Sequence, residues 1–210
     1  MEPIEEGYYY HIYNRGAGRA PIFFSENDYH EFMAKYVYYL FFSVETYAWC
    51  LLKNHFHLLV KIRTMKGQEV IFNKAKKTNA VGTYFGDQYD NPKPFTASKQ
   101  FAHLFNSYTK YINQKRNRSG TLIEGTFKRK KILDENHFLH LACYIHRNPL
   151  HHRIVQSYED YPYSSFHDFI DEKKSFIDTK HILSCFGGRD NFVEAHREFQ
   201  MKLGEEFYLE

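Results

Sequence analysis

The alternation of apolar and polar residues in the first third of the chain predicts a strand, a helix and a hairpin. Residues 8–14 (YYYHIYN) are aromatic and β-branched and precede an RGAG turn, which indicates a first strand. A helical pattern covers residues 25–42, beginning at a serine suited to an N-cap with an aspartate three positions later. Residues 44–52 and 55–62 are two β-prone runs joined by a Lys-Asn dipeptide, so we expect them to pair as an antiparallel hairpin.

The middle of the chain combines a long connector with a second amphipathic helix. Residues 63–97 contain three glycines and two prolines, with mixed charge and weak periodicity. A connector of this length in a compact domain is usually functional or mobile. Apolar residues then recur at helical spacing over residues 101–112, with Ser98 as the candidate N-cap and a turn at residues 118–120.

A strand and a helix complete the predicted domain. Residues 127–133 are expected to form the strand, and Asp134 and Asn136 are both suitable N-caps for a helix that continues to Arg147. The Asn-Pro dipeptide that follows is expected to stop this helix, because proline cannot donate a backbone hydrogen bond. The predicted order is therefore β-α-β-β-α-β-α, which belongs to the α+β class.

The last quarter of the chain predicts short helices rather than further strands. Two helical segments, residues 179–186 and 190–203, are separated by a pair of glycines and follow the irregular segment YPYSSFHDF. We expect one domain over residues 1–155, including the connector, and a helical extension over residues 156–210 that packs on it.

Composition places the chain among soluble globular proteins. The 210 residues are 43 % hydrophobic and 19 % aromatic, and the net charge is only +3, which excludes a polybasic tail protein and a strongly acidic disordered one. The start of the chain lacks the features of a signal peptide, and the longest aromatic-apolar run is too short to cross a bilayer. Three cysteines without metal-ligand spacing fit a reducing compartment, so we expect a cytoplasmic protein with no membrane partner.

The mild net charge conceals a concentrated basic strip. Between residues 110 and 131 the chain carries a charge of +7, with Glu124 as the single acid, so the remainder of the chain sums to −4. A basic strip beside aromatic residues is typical of surfaces that bind a phosphate backbone with unstacked bases, although a solvated charged face has the same composition. The candidate DNA-binding residues are Lys110, Lys115, Arg116, Arg118, Lys128, Arg129, Lys130, Lys131 and, further along the chain, Arg147.

The second strand of the predicted hairpin carries a His-Phe-His sequence. Because side chains alternate along a strand, His55 and His57 project to one face while Phe56 projects to the other. Two imidazoles spaced in this way can converge on one divalent ion, provided that a third ligand is present. One alternative is that the two histidines are partly exposed strand residues that bind no metal. A second alternative is a zinc hydrolase that uses both histidines, although the chain contains no H-E-x-x-H sequence.

Tyr144 and Asn148 lie four residues apart near the end of the last predicted core helix, so they share one helix face. A tyrosine hydroxyl can attack phosphorus, and an asparagine carbonyl can complete a metal site. The alternative is that Tyr144 is a core or surface aromatic residue without a catalytic role, since the chain contains 18 tyrosines. The sequence contains no glycine-rich phosphate-binding motif, so a nucleotide-binding function has no support.

Several of these segments together resemble one protein family. The stretches at residues 10–16 (YHIYNRG), 51–60 (LLKNHFHLLV), 108–132, 144–150 (YIHRNPL) and 163–166 (YSSF) are similar, in this order, to those of the HUH-superfamily single-strand DNA tyrosine transposases. The resemblance is to the insertion-sequence type, and especially to the REP-associated tyrosine transposases. Each stretch alone is weak evidence for the family, but the ordered set covers most of residues 8–170 and is highly specific for it.

The resemblance implies a fold and a chemistry. It implies a ferredoxin-like antiparallel sheet with helices packed on one face, a metal site at His55, His57 and Asn148, and Tyr144 as the catalytic nucleophile. The metal would be Mg²⁺ or Mn²⁺, and the reaction would proceed through a 5′-phosphotyrosine link to hairpin-forming single-stranded DNA. Two imidazoles and an amide are soft ligands for Mg²⁺, so we expect Mn²⁺ to work at least as well.

The resemblance leaves several properties open. The connector is longer than in many members of the family, so rules for hairpin recognition do not transfer directly. The chain would be a DNA endonuclease and strand transferase, while a non-catalytic nucleic-acid-binding protein and a hydrolase without a covalent step are the alternatives. The family includes both monomers and homodimers.

Overall fold

The computed structural model describes residues 3–77, 95–171 and 175–199. Within these residues, four strands form one antiparallel sheet in the order β2-β3-β1-β4, so β3 and β1 are the inner strands. The strands are β1 (Tyr9–Arg15), β2 (Val44–Leu52), β3 (His55–Ile62) and β4 (Lys128–Ile132).

The helices follow the predicted order, with two additions: one after β3 and a short one in the segment that was predicted to be irregular. The mixed α+β class with an antiparallel sheet and C-terminal helices is therefore confirmed. The helices are α1 (Glu26–Leu40), α2 (Met65–Lys77), α3 (Ala97–Lys115), α4 (Glu135–His151), α5 (Phe166–Ile170), α6 (Thr179–Cys185) and α7 (Arg189–Glu198). None of the helices in the described part of the chain combines the length and the apolar character needed to cross a membrane.

The helices cover both faces of the sheet, and the expectation that they pack on one face is wrong in this respect. On β3, Phe56 and Leu58 belong to the hydrophobic cluster formed with α1 and α3, whereas Leu59 belongs to a second cluster with α4. Apolar side chains thus project from both faces of the inner strand. Both faces must be buried, and a single layer of helices could not achieve this.

The predicted connector contains a helix. Residues 65–77 form α2, and Phe72 packs against Phe42 in a small separate cluster. The Gln68 side chain holds the far end of the connector: its amide donates to the Phe95 carbonyl at 3.0 Å, and its carbonyl accepts the Phe95 N–H at 2.8 Å. Residues 78–94 of the connector lie outside the described residues.

Helix α4 continues beyond the predicted stop. Asp134 caps its start, accepting the His137 N–H at 2.8 Å, but the helix runs through Pro149 to His151. A proline removes only one backbone donor, and the next turn is closed by the His152 N–H, which donates to the Asn148 carbonyl at 3.0 Å. Asn148 therefore lies within the helix, on the same face as Tyr144 one turn earlier.

The C-terminal residues lie against the outer edge of β2. The Leu51 N–H donates to the Tyr163 carbonyl at 2.9 Å, and the Asp178 N–H donates to the Thr46 carbonyl at 3.0 Å. Phe166, Phe169 and Phe192 are buried in the same hydrophobic cluster as α4. This edge of the sheet and the outer side of α4 are thus covered by residues that follow the sheet in sequence.

Candidate active site

His55 and His57 face α4 from the inner strand β3. Their ring centroids are 5.2 Å apart, and the two residues are 9 % and 3 % exposed. Phe56 projects to the other face, where its ring packs against Phe32 at 5.3 Å. The predicted alternation is thus present, and the histidines are buried beneath α4 rather than partly exposed on a free sheet surface.

Each nitrogen of the His55 ring faces an asparagine side chain. Nδ1 lies 2.8 Å from Asn54 Oδ1, and Nε2 lies 3.2 Å from Asn148 Oδ1. A neutral imidazole carries one ring proton, so donation from Nδ1 to Asn54 leaves a lone pair on Nε2. That lone pair and the Asn148 carbonyl oxygen then converge, which is the arrangement of two ligand atoms of one cation.

The His57 ring is held by a third histidine on the neighbouring strand β1. His11 Nε2 lies 2.9 Å from His57 Nδ1, and the His11 ring stacks on Tyr13 at 4.6 Å. Burial, followed by the charges of His137 and Lys130, lowers the pKa of His11 to about 3. His11 is therefore a neutral hydrogen-bonding partner near neutral pH.

Tyr144 lies on α4, one turn before Asn148, and its ring meets these histidines edge-on. The ring centroid is 5.6 Å from that of His57 and 6.4 Å from that of His11. Tyr144 is only 3 % exposed. Its side chain is therefore packed almost entirely against other protein groups.

A cavity of about 290 Å³ opens beside the histidines. Basic side chains from three segments line it, which gives it the polarity that a phosphate group requires. The Arg15 side chain also forms an ion pair with Glu124, so the single acid of the basic strip has a structural partner. The lining residues are Tyr13, Asn14, Arg15, Arg19, Asn54, His55, His57, Lys128 and His152.

Strand β4 divides its basic residues between the two faces of the sheet. Lys128 and Lys130 lie opposite Tyr13 and His11 of β1, which places them on the face of the candidate site. Arg129 lies opposite Ile12, on the other face. Lys131, also on that face, pairs with Glu5 at 3.0 Å and lies over the Tyr8 ring at 3.2 Å.

The remaining predicted DNA-binding residues do not converge on the cavity. Lys110 is exposed on α3, and Lys115 pairs with the buried Asp28 of α1 at 2.6 Å. Arg116 lies over the Phe24 ring at 4.0 Å, and Arg118 donates to the Thr121 carbonyl at 3.2 Å. Arg147 faces the C-terminal helices, where it donates to the His196 carbonyl and lies over the Tyr158 ring.

The donor set at this site fits a divalent cation that takes further ligands from its substrate. Within the described ranges, no group of three or more His, Cys, Asp or Glu side chains could hold a metal, so a closed carboxylate or thiolate site is absent there. His55, His57 and Asn148 provide two imidazoles and one amide oxygen. The amide nitrogen of Asn148 is buried and has no hydrogen-bond partner among the described residues, so the hydrogen bonding of the site is incomplete at Asn148.

Sequence reasoning missed several residues of this site. Four residues were not assigned to it: His11, Arg15, Arg19 and His152. His11 and Tyr13 are two positions apart in the first predicted strand, so alternation places both on one face. That alternation was a usable signal. The missing information was the pairing of β1 with β3, which brings His11 beside His57.

Comparison with known proteins gives one structural likeness. No family model matches the chain, and no curated protein matches it. A solved structure of a REP-associated tyrosine transposase bound to a REP hairpin superposes with a TM-score of 0.57 at 14 % sequence identity. The match covers 84 % of this chain and 87 % of that chain, so the two proteins share a fold over most of their lengths.

Proposed function

We propose that this chain is a metal-dependent endonuclease and strand transferase for single-stranded DNA, with Tyr144 as the nucleophile. The observation that carries the proposal is the position of the Tyr144 ring, 5.6 Å from that of His57 on the adjoining strand. Asn148, one turn further along α4, lies 3.2 Å from His55. One helix thus brings a nucleophile and a ligand to a histidine pair beside a basic cavity.

The chain's own residues divide the reaction between them. The Tyr144 hydroxyl forms a bond to phosphorus and loses its proton to solvent, while the bond from phosphorus to the 3′ oxygen breaks and that oxygen takes up a proton from solvent to become a 3′-OH. A tyrosine with an ordinary pKa of about 10 is a weak nucleophile near neutral pH. His55, His57 and Asn148 would hold Mn²⁺ or Mg²⁺, which supplies charge neutralisation at the phosphate.

The phosphotyrosine link conserves the energy of the cleaved bond, so a second transfer can rejoin strands without a nucleotide cofactor. This fits a sequence without a nucleotide-binding motif. Hairpin DNA is the first substrate to test, because the solved structure with the same fold holds a hairpin. Residues 1–155 as the catalytic domain, a cytoplasmic location and a homodimer stay predictions from the sequence.

The test is a search for a covalent DNA adduct. The protein is incubated with end-labelled single-stranded hairpin DNA and Mn²⁺, and a labelled band that resists denaturation is expected. Tyr144→Phe should lose the band and retain DNA binding. Tyr158→Phe is the matched control, since Tyr158 is also buried and its hydroxyl has no hydrogen-bond partner among the described residues.

The outcomes separate the competing functions. An adduct that persists in Tyr144→Phe contradicts the assignment of the nucleophile. Cleavage without any adduct indicates a metal-dependent hydrolase. Binding without cleavage, under Mn²⁺ and Mg²⁺ alike, indicates a non-catalytic nucleic-acid-binding protein.

A further inference from the structure

We infer that His11 is a positioning residue for His57: its Nε2 accepts the proton of His57 Nδ1 and thereby keeps the His57 Nε2 lone pair available to a metal. The inference rests on the proposed metal site and deepens it. In the proposed reaction His11 itself contacts neither the DNA nor the metal.

The geometry fixes both rings. His11 Nε2 and His57 Nδ1 are 2.9 Å apart, and the two rings are nearly parallel, with centroids 5.1 Å apart and an interplanar angle of 23°. His11 is 2 % exposed and His57 is 3 % exposed. The Tyr13 ring stacks on the other two, at 4.6 Å from His11 and 6.0 Å from His57. Neither imidazole can turn without disturbing this stack.

Only one proton can lie between the two facing nitrogens. If His57 Nδ1 carries it, the His57 Nε2 atom has a lone pair and can bind a cation. If His11 Nε2 carries it, a neutral His57 must hold its own proton on Nε2, where it blocks metal binding. The hydrogen bond is satisfied in both cases, so the choice of tautomer decides whether the metal site exists.

Histidine ligands commonly donate their second N–H to a carboxylate or a backbone carbonyl, which sets the tautomer and the ring orientation. Here the acceptor is an imidazole on the adjacent strand. With the proton on His57 Nδ1, such an acceptor leaves the His57 Nε2 lone pair free without placing a negative charge beneath the sheet face. The phosphate of the substrate would then bring the negative charge that the protein ligands lack.

Mn²⁺ titration of the DNA-free protein tests this inference without relying on activity. His11→Phe keeps an aromatic ring for the stack and removes the acceptor, so Mn²⁺ affinity should fall by roughly 10–100-fold. His11→Gln can present its Oε1 near the former Nε2 position and should recover much of the affinity. His196→Phe is the matched control because it removes another buried His–His hydrogen bond, and its Mn²⁺ affinity should equal that of wild type.

A second measurement does not depend on any variant folding. Nitrogen-15 NMR of the metal-free wild-type protein should show His57 protonated on Nδ1. A proton on His57 Nε2 would overturn the inference, as would unchanged Mn²⁺ affinity in a folded His11→Phe.

Failure of the proposed function gives a different result. If wild type binds no Mn²⁺, or if His55→Ala binds it as tightly as wild type, the metal site itself is wrong. If wild type binds Mn²⁺ and forms the adduct while His11→Phe matches it in affinity, the proposed function stands and the role of His11 is rejected.

Discussion

Two buried histidine–histidine hydrogen bonds, His11–His57 and His146–His196, lie within the described residues, and their surroundings give them different roles. His11 and His57 meet at 2.9 Å on the face of the sheet, and His146 and His196 meet at 2.8 Å between α4 and α7. The hydrogen bonds are nearly identical in length. The difference lies in what the remaining ring nitrogens face.

In the C-terminal pair, every ring nitrogen has a partner within the protein. His146 Nε2 lies 2.8 Å from Ser165 Oγ, and His196 Nδ1 lies 2.7 Å from the Phe192 carbonyl oxygen. The rings of Phe166 and Phe192 pack against the His196 ring, with centroids at 5.3 Å and 4.1 Å. The pair is a closed structural connection that fixes the C-terminal helices on α4.

The pair on the sheet face lies at the wall of a cavity instead. His57 lines that cavity together with His55, and Tyr144 meets it from α4. A buried imidazole pair is therefore no indication of function by itself. The position of its second nitrogen relative to a cavity and a nucleophile distinguishes a candidate site from a structural contact.

The largest expected effect comes from removing the imidazole at the cavity. His57→Ala should reduce the rate of adduct formation by roughly 1,000-fold, because a metal ligand contributes several kcal/mol to stabilising the charge of a phosphoryl transition state. Adduct yield over time on labelled hairpin DNA measures this. His196→Ala, if folded, should form the adduct at the wild-type rate, and equal losses in the two variants would remove the contrast between the pairs.

Removing an imidazole from the closed pair should affect stability rather than chemistry. His196→Phe leaves His146 Nδ1 buried without its partner, so the free energy of unfolding should fall by about 1–3 kcal/mol. Urea denaturation at pH 7.5 measures the change through a lower midpoint at constant slope. A wild-type midpoint would mean that packing of the phenylalanine rings alone holds α7.

Acid should weaken the closed pair. Burial lowers the pKa of His196 to about 4; the Phe192 carbonyl opposes this shift and the nearby charge of Arg147 adds to it. Between pH 6.5 and pH 4 the unfolded chain therefore binds a proton that the folded chain does not. The free energy of unfolding should decrease on acidification through this window, by up to about 1.4 kcal/mol per pH unit from this group, and should be constant above it.

The His196→Phe variant removes the titration of this histidine pair's outer member, while the titrating groups other than its partner His146 are common to both proteins. Its free energy of unfolding should depend less steeply on pH than that of wild type between pH 6.5 and pH 4. Parallel pH dependences would show that His196 is not the titrating group.

The smallest effect concerns the charges beside the sheet-face pair. Lys128→Gln removes a cation that lines the cavity, whereas Arg129→Gln removes its neighbour on the opposite face. The first should weaken single-stranded DNA binding a few-fold and lower the slope of log affinity against log salt by about 0.7, the value for one phosphate contact. Fluorescence anisotropy at several salt concentrations measures both, and equal effects would mean that DNA contacts both faces.

The sequence predicts the parts of the fold that depend on local pattern. The hairpin of β2 and β3 has the predicted bounds, and Asp134 caps α4 as expected, because alternation and capping are properties of neighbouring residues. Helix α2 was missed because Gly67 and weak periodicity concealed a helix that is stabilised by contacts with Phe42. Pro149 was given too much weight as a helix stop.

The candidate site was predicted only as far as motifs define it. His55, His57, Tyr144 and Asn148 were recognised from spacing and resemblance. His11 and Arg15 require the register of β1 against β3 and the contact with Glu124, and these arise from residues more than 40 positions apart. Non-local contacts of this kind leave no pattern in a single sequence.

The two edges of the sheet have a practical consequence for experiments. The β2 edge is covered by backbone hydrogen bonds from the C-terminal residues, while β4 forms the opposite edge with the sequence KRKKI. Lysines on an edge strand discourage pairing with the edge of another molecule. Neutralising all of β4 would therefore invite aggregation as well as weaken DNA binding, so solution size should be measured before a lost affinity is assigned to phosphate contacts.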